Sequence, residues 1–238
     1  DQSISLSADI AILLNIVPDH LDRHGSFENY VAAKRHLFDM QRPEQVAIVA
    51  VDDEPSRIIA DQVRSKLIRV SAQRIVPHGV YVQDGVLFDN LSNENHAIGL
   101  QANWPALQGP HNAQNVAAVT AAARILGLSR EAIVEALQSY QALPHRMEPL
   151  AHINGVSFID DSKATNADAA AQAVAAFDHV HWIMGGIAKN DELGPLEGVL
   201  PHVSKAYLIG SSQALYQRLL EGRVALECYS DLEQAVVQ

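Results

Sequence analysis

The sequence predicts an α/β protein with two consecutive domains, residues 1–143 and 144–238. Short apolar, β-compatible segments alternate with amphipathic helical segments in both halves, a pattern typical of parallel sheets with right-handed crossovers. The segment 143–148 interrupts this alternation with a proline and charged residues, as domain joints do. Polar clusters follow several of the predicted strands, where open α/β sheets bind ligands.

The composition limits the class of protein. An apolar content of 48% is enough for one large or two modest hydrophobic cores. The formal net charge is −11 and no run is rich in lysine or arginine, which argues against nucleic acid and anionic membranes as partners. The single cysteine, Cys228, favours a reducing compartment. No apolar run approaches the roughly 20 residues of a membrane helix and no signal peptide is visible, so we expect a soluble cytoplasmic protein, taken to be a monomer.

Both ends of the sequence predict a fragment of a longer enzyme. Residue 1 is Asp rather than Met, and residues 230–233 have the Ser-x-x-Glu spacing of a capping box. The chain ends five residues later, so a helix opening there would be too short to be stable.

The first predicted strand, 8–16, leads into a polar loop. Several potential metal ligands follow the carboxyl end of this strand, which makes the loop the first place to look for chemistry. A solvated polar turn is the commoner structure for such a cluster. The loop residues are Asp19, His20, Asp22, Arg23 and His24.

A helix from Phe27 follows, and Lys34 occupies a gap in its apolar stripe. An inward lysine is costly as an ammonium and is pushed towards the neutral amine, which can react with carbon dioxide to give an anionic carbamate. The alternative is that Lys34 extends along the helix surface and keeps its ammonium in water. The stripe residues are Phe27, Tyr30, Val31, Leu37 and Phe38.

Strands and helices continue to alternate up to residue 140. A hairpin is predicted around Asp84-Gly85, which supplies a positive-φ turn. A later alanine-rich helix carries Asn112 and Asn115 on one face near its start. These amides could cap the helix or hydrogen-bond a polar heterocycle such as a purine. The other predicted elements are strands 45–51 and 67–71 and helices 55–64 and 129–140.

The second half begins a new αβ series, with a predicted capping box at Thr165 to Asp168 that opens a helix. We expect its strands to form one parallel sheet. The predicted strands are 156–159, 179–184, 205–209 and 224–228.

Polar residues again follow these strands: Asp161, Lys163 and Thr165 after the first, and Lys189 after the second. Two lysines and a helix N-terminus at one sheet edge would suit an anionic substrate, although both lysines could be ordinary surface cations. The pair Gly185-Gly186 favours the binding interpretation for Lys189, since paired glycines let the backbone approach a ligand.

Four motifs, in this order along the chain, resemble the Mur ligases, the ATP-dependent amino-acid-adding enzymes of peptidoglycan synthesis. The resemblance runs from about residue 9 to the end, and the segments 161–166 and 185–189 are similar to the members that add D-glutamate. The motifs are Asn15-Ile-x-x-Asp-His-Leu-Asp-Arg-His24, Tyr30-x-x-Ala-Lys34, Gly109-x-His-Asn-x-x-Asn115 and Pro144-His-Arg-Met-Glu148.

The resemblance implies part of a central ATPase-type sheet domain (1–143) and a truncated, Rossmann-like, amino-acid-binding C-terminal domain (144–238). The implied substrates are ATP, UDP-N-acetylmuramoyl-L-alanine and D-glutamate, with Mg²⁺ as cofactor. The implied roles are metal binding by His20 and carbamylated Lys34, adenine contacts by Asn112 and Asn115, phosphate and ribose contacts by Arg146 and Asp161, and substrate contacts by Lys163, Thr165 and Lys189. The catalytic residues would be His20, Lys34 and Lys163.

The glycine-rich phosphate loop of the family, ending Gly-Lys-Thr or Gly-Lys-Ser, does not occur in these residues. We therefore expect the chain alone to be inactive as a ligase. Two other classes stay open: a non-catalytic nucleotide-binding relative, and a metal-dependent hydrolase. The hydrolase would use Asp19, His20, Asp22 and His24 as ligands.

Overall fold

The computed structural model describes residues 6–92, 94–188 and 191–237. The chain forms two compact units, Asp1–Gln141 and Ala142–Gln238. Each unit contains a parallel sheet packed against helices, so the predicted α/β class is confirmed. Within the described part of the chain, no helix combines the length and the apolar character that a membrane span requires.

The first unit is built on a six-stranded sheet whose spatial order follows the sequence order. The first four strands are parallel and the last two are antiparallel to their neighbours. The strands are β1 (Ile10–Leu13), β2 (Val46–Ala50), β3 (Lys66–Ser71), β4 (Val80–Gln83), β5 (Val86–Asp89) and β6 (His96–Leu100). The helices are α1 (Leu21–His24), α2 (Phe27–Asp39), α3 (Glu54–Gln62), α4 (Pro110–Ile125) and α5 (Arg130–Ser139), with 3-10 turns at Gln101–Asn103 and Pro105–Leu107.

Helices cover both faces of this sheet. Alternate residues of β2 point to opposite faces, as the two-residue period of a strand requires. Ile48 packs in the core on the α4 and α5 side, whereas Val49 packs in the core formed with α2 and α3. Both side chains are fully buried, which explains why β2 is apolar along its whole length.

Local signals in the sequence mark several of these elements correctly. Ser26 accepts a hydrogen bond from the Asn29 N–H and so caps α2, and Ser129 caps α5 in the same way. The predicted hairpin is confirmed as β4 and β5, with φ of 50° at Asp84 and 74° at Gly85. β6 was not predicted, because its sequence His-Ala-Ile-Gly-Leu carries little β-branched character.

The second unit contains a three-stranded parallel sheet and a separate two-stranded hairpin. The sheet order is β11-β10-β9, and its core lies against α6, α7 and a 3-10 segment. The strands are β7 (Glu148–Ile153), β8 (Val156–Asp160), β9 (Val180–Gly185), β10 (Val203–Ile209) and β11 (Leu226–Cys228). The helices are α6 (Ala167–Ala175), α7 (Gln213–Leu220) and α8 (Leu232–Val236), and the 3-10 segment is Gly194–His202.

The prediction of one parallel sheet was wrong for its first strand. β8 pairs antiparallel with β7 through a turn at Asn154 and Gly155, both at positive φ, instead of joining β9. The Asn-Gly pair at 154–155 is a strong hairpin signal that the sequence reasoning did not use.

The two predicted capping boxes were each one residue out of register. Asn166, not Thr165, caps α6 by accepting a hydrogen bond from the Ala169 N–H at 2.8 Å. Asp231, not Ser230, caps α8. Asn and Asp are at least as good as Ser and Thr at this position, so the sequence alone did not separate the neighbours.

Candidate functional site

The loop after β1 places His20 at the first turn of α1. His20 has a left-handed backbone (φ 53°), and its carbonyl accepts hydrogen bonds from the N–H groups of Arg23 and His24. Its own N–H donates to Asp19 Oδ1 at 2.9 Å, and its ring Nε2 lies 3.6 Å from Asp19 Oδ2. The His20 side chain is 61% exposed, so it is accessible to a ligand from solvent.

The ring of Tyr30 on α2 connects this loop with Lys34. The His20 ring meets it edge-on with centroids 6.5 Å apart, and the His24 ring lies 5.2 Å away. Lys34, one helical turn later, places Nζ 5.3 Å from the same ring centroid. The structure thus brings the two predicted metal-binding residues, His20 and Lys34, to one aromatic ring.

Of the two orientations considered for Lys34, the structure shows the one in which the ammonium stays at the helix surface. Phe38 is buried and the other stripe residues are partly buried against the core, but Lys34 is exposed. Periodicity fixes the direction of Cβ, whereas a lysine has four further bonds with which to bring its ammonium to water. The ammonium lies 5.3 Å from the centroid of the Tyr30 ring, so the side chain reaches the surface and does not enter the core.

The metal cluster proposed for a hydrolase does not assemble. Among the residues that the structure describes, the donor atoms of Asp19, His20, Asp22 and His24 form no group of three or more that could share one ion. His24 packs on Tyr30, and His20 turns towards Asp19. The hydrolase interpretation therefore has no structural support.

Asn112 and Asn115 lie together on the first turns of α4, as predicted. The Asn115 amide donates to Asn112 Oδ1 at 3.2 Å, and the Asn112 amide donates to the Gln108 carbonyl at 3.0 Å. Neither caps the helix, because the N-cap position is Gly109 and carries no side-chain cap. Both side chains are half-buried, which suits recognition of a polar ligand edge better than capping does.

A hydrogen-bond network that the sequence reasoning missed stabilises the carboxyl edge of the first sheet. Gln114 on α4 donates to Asp52 at 3.0 Å and accepts from Asn15 at 3.3 Å. Asp52 also accepts from the Ser71 hydroxyl at 2.5 Å and from the Ala72 N–H at 2.9 Å. These bonds join the ends of three strands to α4. The signal available in the sequence was an Asp two residues after the buried strand β2.

In the second unit, the loop 143–147 and the loop after β8 are hydrogen-bonded together. Asp161 accepts from the Met147 N–H at 3.0 Å, and the Lys163 N–H donates to the His145 carbonyl at 3.1 Å. The structure therefore brings Arg146, Asp161 and Lys163 into one region of this unit. Thr165 lies two residues further on, and its N–H donates to the Lys163 carbonyl.

A histidine next to Arg146 in the sequence converges with two carboxylates. His145 Nδ1 lies 2.6 Å from Asp160 Oδ2, and the His145 N–H donates to Glu148 Oε2 at 2.7 Å. The hydrogen bond from His145, with a second from the Ser162 N–H, lowers the pKa of Asp160 to about 2. Donor atoms of His145, Glu148 and Asp160 lie within 4.8 Å of one another, the spacing of a possible cation site. Hydrogen bonds within the cluster already account for this arrangement.

The predicted convergence of Lys163 and Lys189 on one sheet edge was wrong as stated. Lys163 follows β8, which belongs to the hairpin and not to the sheet that contains β9. Lys189 lies outside the described residues. Gly185 has a structural reason of its own, since a Cβ there would lie 2.3 Å from the Ile209 carbonyl oxygen on β10.

Comparisons with known proteins show which family this chain matches. Residues 2–123 match the Mur ligase middle domain, and residues 145–238 match the glutamate ligase domain of Mur ligases. The chain is 45% identical over 243 aligned residues to a UDP-N-acetylmuramoylalanine--D-glutamate ligase of Sphingopyxis alaskensis, covering 100% of this chain and 51% of the relative. It is 46% identical over 238 residues to the ligase of the same name from Zymomonas mobilis, covering 99% of this chain and 49% of the relative. The chain thus spans about half the length of these curated relatives.

Solved structures share the fold at lower identity. MurF from Acinetobacter baumannii superposes with a TM-score of 0.67 at 21% identity, covering 96% of this chain and 52% of that chain. E. coli FolC in complex with DHPP and ADP gives a TM-score of 0.65 at 23% identity, covering 98% and 55%. These similarities support the fold, and the match over residues 2–123 alone covers half of the sequence. The chain belongs to the Mur ligase family.

Proposed function

We propose that this chain contributes the ATP- and amino-acid-handling parts of a ligase that joins D-glutamate to UDP-N-acetylmuramoyl-L-alanine in peptidoglycan synthesis. The observation that carries the proposal is the identity of 38–46% to relatives named as D-glutamate ligases, over nearly the whole chain. The reaction would take place in the cytoplasm, in keeping with a single, unpaired cysteine.

The reaction has two steps, and both bring anions together. The terminal carboxylate of the nucleotide precursor attacks the γ-phosphorus of ATP, so that an acyl phosphate forms and ADP leaves. The amine of D-glutamate then attacks the acyl carbon, an amide bond forms, and inorganic phosphate leaves with the electrons of the broken C–O bond. Catalysis of this kind depends on positioning and on neutralising charge.

The residues around Tyr30 are compatible with a magnesium ion. Mg²⁺ prefers oxygen ligands and keeps several waters, so a carbamate on Lys34 and the imidazole of His20 would serve as protein ligands beside substrate phosphates. When bound, the ion would neutralise charge on the transferring phosphoryl group. The exposure of Lys34 leaves its amine accessible to carbon dioxide, although burial does not promote the reaction. Carbamylation of Lys34 is therefore proposed from its motif and from the Tyr30 ring, which both Lys34 and His20 contact.

Each unit offers residues of its own for nucleotide binding. In the first unit, Asn112 and Asn115 offer amide donors and acceptors suited to the edge of adenine. In the second unit, Arg146 would bind phosphate, for which a guanidinium is well shaped, and Asp161 would accept from the ribose hydroxyls. Lys163 and Thr165 are both exposed and would contact the precursor. Lys189 would pair with a carboxylate of D-glutamate.

The test is a ligation assay with the protein encoded by the complete reading frame that contains this chain. We expect phosphate release that requires ATP, UDP-N-acetylmuramoyl-L-alanine and D-glutamate together, with little release when L-glutamate, meso-diaminopimelate or D-alanyl-D-alanine replaces D-glutamate. Lys163→Ala should remove most of this activity. The matched control is Lys66→Ala. Lys66 is also an exposed lysine, but it lies at the amino end of β3, away from the carboxyl ends of the strands where ligands are expected. Turnover with another amino acid in preference to D-glutamate would contradict the proposal.

A further inference from the structure

Arg146 lies between two residues with an unfavourable backbone conformation. His145 has φ of 65° and Met147 has φ of 47°, and neither is a glycine. A left-handed conformation costs free energy for residues with a Cβ, so it persists only where the surroundings impose it. Two such residues flanking one arginine indicate that the loop is held in a defined shape.

Hydrogen bonds from three directions hold this loop. The His145 N–H donates to Glu148, the His145 carbonyl accepts from the Lys163 N–H, and the His145 ring pairs with Asp160 at 2.6 Å. Asp160 is itself anchored at the end of β8, where its Oδ1 accepts from the Ser162 N–H at 2.8 Å. The backbone and the ring of His145 are therefore both bonded, although its side chain is largely exposed.

The backbone of Arg146 and of the residue after it, Met147, is also held by hydrogen bonds. The Met147 N–H donates to Asp161, and the Arg146 N–H donates to the Leu143 carbonyl at 3.2 Å. The residue that restrains Met147 is thus the same Asp161 to which the proposed function gives a ribose contact. A fixed loop would set Arg146 and Asp161 in one arrangement before a nucleotide arrives.

We propose that Asp160 is a positioning residue, which with Glu148 clamps His145 and so fixes the backbone that carries Arg146. The proposal rests on the proposed function in one respect, because it takes Arg146 to be a phosphate contact. The two carboxylates do not touch substrate. They act by holding His145 in its left-handed conformation, so that binding of ATP does not have to order the loop.

A bound cation is the competing explanation of the cluster. The donor atoms are close enough, but each is engaged: Glu148 with the His145 N–H, and Asp160 with Ser162 and the His145 ring. An ion bound at His145 Nδ1 would have to displace the bond between this atom and Asp160. The clamp explains the cluster and the two left-handed residues together, whereas an ion would explain only the cluster.

The first measurement uses the 238-residue chain without ligand. We expect Asp160→Ala to raise the amide hydrogen-exchange rates of His145 and Met147 about tenfold or more, while amides of β10 keep their rates. Asp160→Asn, which retains a hydrogen-bond acceptor for His145, should have a smaller effect and serves if the alanine variant does not fold. The matched control is Asp178→Ala, because Asp178 pairs with His202 in the same unit at 3.3 Å. Unchanged exchange at His145 and Met147 in both Asp160 variants would overturn the clamp.

The second measurement uses the ligase assay on the protein from the complete reading frame. Asp160→Ala should raise the KM for ATP about tenfold and leave the KM for D-glutamate and kcat within twofold, whereas Asp178→Ala should change none of them. A tenfold fall in kcat with the KM for ATP unchanged would contradict a positioning role. If the wild-type protein shows no ligation, the proposed function fails, and the exchange data still decide the clamp. Micromolar binding of Mg²⁺ or Mn²⁺ to the 238-residue chain that Asp160→Asn abolishes would favour the cation site instead.

Discussion

The ammonium of Lys34 lies 5.3 Å from the centroid of the Tyr30 ring, one turn earlier on α2. The same ring is met by His20 from the loop after β1, so the contact brings a cationic side chain and an exposed imidazole to one place. A cation over an aromatic face at an exposed site contributes about 0.5–1 kcal/mol. This small energy is enough to select one orientation for an otherwise mobile side chain.

The contact with Tyr30 allows a substitution that tests carbamylation of Lys34 without removing the contact. Arginine keeps the positive charge and stacks on aromatic rings at least as well as lysine, so Lys34→Arg should preserve the contact with Tyr30 and the fold. A guanidinium stays protonated and cannot form a carbamate. We therefore expect Lys34→Arg in the protein from the complete reading frame to lose ligation by at least a hundredfold, with an unchanged melting temperature. The measurement is phosphate release under saturating substrates.

The control for this substitution is Lys66→Arg, since Lys66 is exposed at the amino end of β3. It should leave turnover within twofold. If the Lys34→Arg protein keeps near-normal turnover, Lys34 is an ordinary surface cation and the carbamate is excluded.

The contact of the Asp160 carboxylate with His145 should make the free energy of unfolding depend on pH in the acid range. Its pKa is lowered from 3.8 to about 2, first by the hydrogen bond from His145 and then by the Ser162 N–H. A carboxyl with a lowered folded-state pKa stabilises the fold above its unfolded pKa, and the contribution disappears as the pH falls through the folded pKa. The unfolding free energies of wild type and Asp160→Asn should therefore differ above pH ~4 and converge near pH ~2. Because the pair is near the surface, we expect a difference of only about 0.2–1 kcal/mol at neutral pH.

Urea unfolding of the 238-residue chain between pH 2.5 and 7 measures this difference. The control is Asp178→Asn, which removes a longer contact with a histidine, 3.3 Å, in the same unit. A difference between wild type and Asp160→Asn that grows on acidification would have the wrong sign for this assignment.

The sequence was most informative where a local signal decides the structure. The apolar stripe from Phe27 predicted α2, and Asp84-Gly85 predicted the β4–β5 hairpin, because helical periodicity and positive-φ turns depend on residues close in sequence. The choice of β8 between β7 and β9 as its neighbour depends on contacts between strands and not on one local signal. The sequence analysis placed β8 beside β9, which was wrong, although Asn154-Gly155 marks a turn between β7 and β8.

Sequence motifs selected the candidate site residues but not the contacts that these residues make. His20 lies at the N-cap of α1, Lys34 lies within α2, and Asn112 and Asn115 lie near the start of α4. Their roles in binding stay predictions. The direction of the Lys34 side chain depends on rotamers that no spacing determines. The bond from Gln114 to Asp52 joins residues 62 positions apart, and such a pair cannot be inferred from one sequence.

The Asp52 network should be important for the stability of the first unit. Replacing Asp52 by Ala leaves Gln114, Ser71 and the Ala72 N–H without their acceptor in a half-buried region. Leaving buried polar groups unpaired costs about 1–3 kcal/mol, so we expect a loss in this range. The measurement is urea unfolding followed by Trp104 fluorescence in a Trp182→Phe background, since these are the only two tryptophans. Asp61→Ala, which removes an exposed pair with Arg69, should cost less than about 0.5 kcal/mol.

Two explanations of the glycine at position 185, close approach of β10 and close approach of a ligand, predict different results for Gly185→Ala. A Cβ at position 185 would lie 2.3 Å from the Ile209 carbonyl oxygen and 2.6 Å from the Ile209 side chain, in the register where β9 pairs with β10. Backbone cannot move aside as a flexible side chain can, so Gly185→Ala should force the strands apart and destabilise the second unit by about 1–3 kcal/mol. Gly198→Ala is the matched control, because a Cβ there meets no atom within 4 Å.

Unfolding of the second unit can be followed by the fluorescence of Trp182, which lies on β9 itself, in a Trp104→Phe background. We expect the midpoint to fall clearly for Gly185→Ala and to stay within error for Gly198→Ala. If Gly185 instead serves only to admit a ligand, Gly185→Ala will keep wild-type stability and raise the KM for D-glutamate alone. Normal stability of the Gly185→Ala variant would therefore reject the close approach of β9 and β10 as the reason for glycine at this position.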